Sequence, residues 1–334
     1  EPMRYTYRQG QALLLLGLLV MIAGLLPLPA QGGEPWPTTQ FQVIPGPPIA
    51  RDWGEGELAD YLDLVLPVFG DDFAFIDEME DALSRAAQHY QVMGFSEPLL
   101  EPLVTLEDGS LAYRVFICKQ SWLDKLEDKV MGNLPFQLSI PGLPTLRSIW
   151  ERCGNENAAA HMGRCGTEGG FRNYIYFNSE RRFNNPTMGF WDYEVLAHEL
   201  FHAVQAGSAW GDHSSPCGTG SWIIEGMADA IASDFVREEW KGVPNFKPNR
   251  SKEYGIRSYA DTLATRDDKY VYQTSSFWRH VAEWYYAAVA NAGRRVGSAK
   301  SKTNYGYLVH LLNQRMKGLA GSKRELQWLD EGLR

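Results

Sequence analysis

Residues 193–205 read Tyr193-Glu194-Val195-Leu196-Ala197-His198-Glu199-Leu200-Phe201-His202-Ala203-Val204-Gln205, with no proline or glycine before Gly207. The stretch predicts a helix closed by a glycine stop. Val195, Leu196, Leu200, Phe201 and Val204 make it largely apolar, so most of its surface is expected to be buried. Residues four apart share a helix face, which points His198 and His202 the same way. A buried helix holds two histidines and a glutamate only where specific partners offset their desolvation.

Two imidazoles at that spacing can ligate one metal ion, and Glu199 is placed beside them rather than among the ligands. A zinc ion makes water acidic enough to lose a proton near neutrality, and an adjacent carboxylate can accept that proton as the water attacks a carbonyl. With only 7 histidines in the chain, H-E-x-x-H arises by chance about once in a hundred such sequences, so the bland reading of two incidental surface histidines is disfavoured. Catalytic zinc takes three protein ligands and leaves one position open. The third ligand is sought on Ser221-Trp222-Ile223-Ile224-Glu225-Gly226-Met227-Ala228-Asp229-Ala230-Ile231-Ala232, a second apolar segment predicted to be helical. Glu225 and Asp229 lie one turn apart on it, an arrangement that is costly unless each carboxylate has a partner. Glu225 is assigned to the metal and Asp229 to the second ring N–H of a ligating histidine, where it would fix the tautomer. His213, in the polar loop Trp210-Gly211-Asp212-His213-Ser214-Ser215, is the rival ligand.

H-E-x-x-H followed some twenty residues later by E-x-x-x-D resembles the gluzincins, the thermolysin-like and aminopeptidase-like zinc peptidases. The particular residues His198-Glu199-Leu200-Phe201-His202-Ala203-Val204-Gln205 and Trp222-Ile223-Ile224-Glu225-Gly226 look like those of exported bacterial peptidase-MA-like proteins. The resemblance covers roughly residues 170–290 and rests on short motifs. It implies zinc as cofactor, ligands His198, His202 and Glu225, general base Glu199, and Asp229 behind a ligand. It also implies a zincin fold in which a strand before the motif helix lines the cleft and pairs with an extended substrate; residues Arg172–Phe177 stand in that place. Such peptidases add a tyrosine or histidine that stabilises the oxyanion. Tyr272, ahead of Phe277 and Trp278, is the residue chosen here, with Tyr259, Tyr270 and His280 as alternatives and aromatic packing as the competing account.

Outward from this centre the chain is predicted to be α+β, a mixed β-containing half followed by a mainly helical one. Residues 1–30 form a signal peptide, 31–57 a Pro/Gly-rich extended lead-in, 58–190 a mixed α/β lobe and 191–334 a helical lobe. Phe75, Met79, Leu83 and Ala86 recur at helical spacing within a helix expected over Asp71–Tyr90. Leu103–Leu106 and Leu111–Ile117 flank Glu107-Asp108-Gly109-Ser110 and predict a β-hairpin. The alternating aromatic stretch Arg172–Phe177 predicts a further strand. Leu326–Asp330 reads as the first turns of another helix, which suggests a natural C-terminus further on.

Charge and cysteines narrow the setting. A formal charge of -9 argues against a nucleic-acid binder, which would carry a basic stripe for the phosphates. Arg4 and Arg8 precede the apolar run Ala12–Leu26, which ends at Pro27-Leu28-Pro29-Ala30, the order of a secretory signal. Uncleaved, the run would serve as a membrane anchor; its two prolines and the Gln31-Gly32-Gly33 that follows favour cleavage and export. In an exported chain Cys118, Cys153, Cys165 and Cys217 predict two disulfides, with Cys153–Cys165 and Cys118–Cys217 the simplest pairing. A second metal site on Cys153, His161 and Cys165 is the sharper alternative, at a spacing that fits no common zinc motif. The expected partner is a peptide or protein substrate. Two other readings remain open at this point: an inactive exported zinc-binding or interaction domain of zincin fold, and a secreted interaction domain without metal.

Overall fold

A computed structural model describes residues 35–46, 74–119, 188–207 and 221–239, together with 56, 59, 62–63, 121–122, 125, 161–162, 175–178, 275 and 277–279. Its elements in chain order are β1 (Phe41–Pro45), α1 (Ile76–Val92), β2 (Leu103–Thr105), β3 (Leu111–Cys118), β4 (His161–Met162), β5 (Ile175–Asn178), α2 (Phe190–Gly207) and α3 (Ser221–Glu239). The class is α+β, with a small mixed sheet ordered β1-β3-β5-β4 and β2 attached to β3.

The hairpin forms where its turn chemistry requires. Gly109 has φ +82°, a conformation open to glycine at no steric cost, and the Asp108 carboxylate accepts from the Ser110 N–H at 2.9 Å. Leu106 belongs to the turn, accepting from Gly109 N–H at 2.9 Å and donating to Ser110 O at 2.7 Å, so β2 ends at Thr105. β3 is the hub of the sheet. β1 runs parallel along residues 113–117, β2 antiparallel along 111–113, and β5 parallel along 116–118. The segment read as an extended lead-in therefore contributes a strand of the sheet. Its Val43 N–H, on the outer side of β1, donates at 2.8 Å to the Glu80 carboxylate of α1. Burial raises the Glu80 pKa against the lowering effect of that bond.

α1 begins at Ile76, five residues later than the spacing suggested, and presents Met79, Ala82, Leu83, Ala86, Ala87 and Tyr90 to the core. That i, i+3, i+4, i+7 stripe packs on β1 and α2. Leu83 is fully buried far along the chain from the histidines. Leu83→Ala should cost about 2–5 kcal/mol, read from the urea midpoint at an unchanged m-value. Tyr90 ties the helix to the motif helix: its hydroxyl donates to Ala197 O at 2.9 Å, and its ring meets Phe201 edge-on at 5.4 Å. Phe95 completes the aromatic group at 5.0 Å from Phe201.

α2 starts at a glycine N-cap. The Asp192 carboxylate reaches back to the Gly189 N–H at 2.7 Å, which is half of a capping box. The far end differs from the expected stop. Gly207 is the last helical residue, and a Cβ there would collide with the Glu97 carbonyl oxygen. Glycine makes room for the strap 95–100, whose Leu99 N–H donates to Ala203 O at 2.9 Å. α2 lies against α1, α3 and the β4–β5 end of the sheet. α2 and α3 pack along one another, and the small residues Ala228 and Ala232 of α3 are fully buried.

Among the described residues no helix is long and apolar enough to cross a membrane. Cys118 is fully buried and disulfide-bonded; Cys153, Cys165 and Cys217 lie outside the described residues, and the pairing with them. The expected signal segment, the residues after 279 and the predicted strand residues 172–174 also lie outside them.

Candidate metal centre

His198 and His202 project from one face of α2 toward the first turns of α3. Their rings stand 4.6 Å apart at 89°, and both residues are 7% exposed. The Glu225 Oε2 lies 3.1 Å from His198 Nε2 and 3.4 Å from His202 Nε2. Ligand atoms of His198, His202 and Glu225 all fall within 4.8 Å of one another. Donors about 2 Å from a tetrahedral zinc stand roughly 3.3 Å apart, so the nitrogen–oxygen separations fit a shared ion with little movement. Two imidazole nitrogens and one carboxylate oxygen suit zinc and its transition-metal neighbours better than calcium or magnesium, which take oxygen shells.

The remaining ring nitrogens are held from behind. Asp229, 3% exposed, brings Oδ1 to 3.0 Å from His198 Nδ1. Gln205, 1% exposed, brings Oε1 to 2.9 Å from His202 Nδ1. The first contact matches the role given to Asp229 from its one-turn offset. The second was missed, although Gln205 follows His202 at i+3, where helix neighbours meet. One turn ahead of His198, the buried Glu194 accepts from the Ser233 hydroxyl at 2.6 Å and pins α2 to α3. Tyr193 braces the same helix against α1 through Glu78 at 3.0 Å and Arg85 at 3.2 Å. Glu199 is half-buried on the same turn as the histidines.

Electrostatics describe the metal-free state. Burial would lower the His198 pKa, but the hydrogen bonds to Asp229 and then Glu225, with the charges of Asp229 and Glu199, hold it at about 10. Burial would raise the Glu225 pKa, and hydrogen bonds and charge from His198 and His202 hold it well below the usual carboxylate range. Without metal at neutral pH, His198 is an imidazolium donating to both carboxylates. Its raised pKa contributes stability that is full below its ordinary 6.5 and is lost as pH rises through about 10. The lowered Glu225 pKa contributes stability present above its ordinary 4.5 and lost as pH falls well below it. A metal ion must displace the His198 proton. Affinity for zinc should therefore climb about tenfold per pH unit over pH 7–9, with close to one proton released per ion in weakly buffered titrations. A flat profile would contradict the assignment.

The described residues bring together His198, His202, Glu225 and Asp229 as expected, with Glu199 alongside. Tyr272, Tyr259, Tyr270, His280 and His213 lie outside them. The strand expected to pair with substrate is described only from residue 175 onward, and there β5 has a neighbour on each side. β3 takes one edge through Phe116–Tyr176 and Ile117–Phe177, and β4 takes the other through His161–Tyr176. Neither edge is open at that register. Among the described residues β4 is the outer strand beside α2. Compared with protein-family models, curated proteins and solved structures, the chain gives no match, so the site itself carries the functional reading.

Proposed function

We propose that the chain is a zinc-dependent peptidase of gluzincin type and zincin fold, working outside the cytoplasm after export by its N-terminal segment. The observation that carries this reading is the convergence of His198 Nε2 and His202 Nε2 on one Glu225 oxygen, with Nδ1 of each ring held from behind. His198, His202 and Glu225 would hold the ion, leaving a position for substrate. Zinc, when bound, supplies a Lewis acid and makes water acidic near neutrality. Glu199 takes the proton from the attacking water as the new C–O bond forms at the scissile carbonyl. The same carboxyl group then delivers that proton to the amine nitrogen as the C–N bond breaks. The half-buried setting of Glu199 suits this role, because a carboxylate there meets fewer competing waters. β4, among the described residues the outer strand beside α2, would pair with an extended peptide, which supports a polypeptide substrate over a small ester. Tyr272 is retained as the proposed oxyanion donor.

Glu199 also argues against the inactive zinc-binding alternative, since a site that only binds metal has no use for a base beside it. The test is cleavage of an unfolded protein by the purified chain, before and after chelator treatment and after return of one equivalent of zinc. Loss and recovery of cleavage are expected. Cleavage that persists in the chelated protein would overturn the reading.

A further inference from the structure

His198 and His202 have unlike supports. Asp229, behind His198, is a carboxylate; Gln205, behind His202, is a neutral amide. Glu225, Asp229 and the neighbouring Glu199 already set three carboxylates around the place of a divalent ion. A fourth, behind His202, would add to that negative charge and make the metal a weaker Lewis acid.

We propose that Gln205 is a positioning residue that fixes the His202 tautomer without adding a further carboxylate to the metal shell. The inference rests on the zinc peptidase reading above. Its geometry is local and complete: Gln205 sits at i+3 from His202 on one helix, is 1% exposed, and meets Nδ1 at 2.9 Å. With the amide oxygen toward the ring, Nδ1–H donates to it and Nε2 is left to the ion, on the side where Glu225 Oε2 lies 3.4 Å away. A buried glutamine in the last turn of an apolar helix is otherwise an unfavourable choice.

The experiment compares wild type, Gln205→Met and Gln205→Glu, all as the full chain. Zinc affinity is read by competition with a chromophoric chelator, the His202 tautomer by nitrogen NMR of the metal-free proteins, and peptide cleavage as kcat and KM. Gln205→Met keeps the length and removes the acceptor. Zinc affinity should fall about 10–100-fold, and the His202 ring should lose its single tautomer. Gln205→Glu restores the acceptor but adds charge. It should bind zinc at least as tightly as wild type while kcat falls about tenfold or more at unchanged KM, a split that a merely structural role would not produce. Wild-type affinity and tautomer in Gln205→Met would overturn the inference and leave the zinc reading standing. Full kcat in Gln205→Glu would overturn the charge argument. Failure of the wild type itself to bind zinc would sink both.

Discussion

Glu199→Gln should keep its zinc and lose its cleavage, with kcat lowered about 10²–10⁴-fold or more. The substitution is nearly isosteric, so α2 and its packing on α3 should survive. Glu199 is not among the three residues whose ligand atoms converge, so the metal content should match wild type. What changes is basicity: an amide oxygen cannot take the proton of the attacking water at neutral pH. Single-turnover cleavage of an unfolded protein with metal content measured on the same sample is the check. A variant that cleaves as fast as wild type would remove Glu199 from the reaction, and one that loses zinc would make it a ligand.

Glu225→Ala should abolish stoichiometric zinc binding. Among the described residues its carboxylate is the one group near both Nε2 atoms, at 3.1 and 3.4 Å, and its removal takes away the third ligand atom of the cluster. The loss should exceed the 10–100-fold typical of a residue acting through a ligand. The metal-free protein should also weaken by about 1–3 kcal/mol at pH 7, because the His198 imidazolium loses a charged acceptor while keeping Asp229. That second effect has a sign that can be followed. It should shrink as pH rises through about 10, where wild-type His198 itself loses the proton. Chemical denaturation of both proteins at pH 7 and 10 separates the two contributions.

Local chemistry made much of this legible. His198, His202 and Glu199 declare themselves by helical spacing, and Glu225 and Asp229 by standing among Met227, Ala228, Ala230 and Ile231. The Asp108-Gly109 turn likewise announces its hairpin. What escaped depends on partners far along the chain. Phe41–Pro45 is crowded by Pro45, Pro47 and Pro48, so it read as a lead-in; only its parallel register with residues 113–117 makes it a strand. β5 looked free to receive a substrate because parallel and edge neighbours leave no mark in its own sequence. Gly207 looked like an ordinary helix stop, whereas its reason is the strap at Glu97. Gln205 was given no role, although it stands at i+3 from His202, where helix neighbours meet.

Elemental analysis of protein purified without chelators decides whether His198, His202 and Glu225 form a zinc site. One zinc per chain is expected, removable by chelator and restored on adding the ion back. Protein that is folded and active yet holds no stoichiometric zinc, before or after that addition, would contradict that assignment.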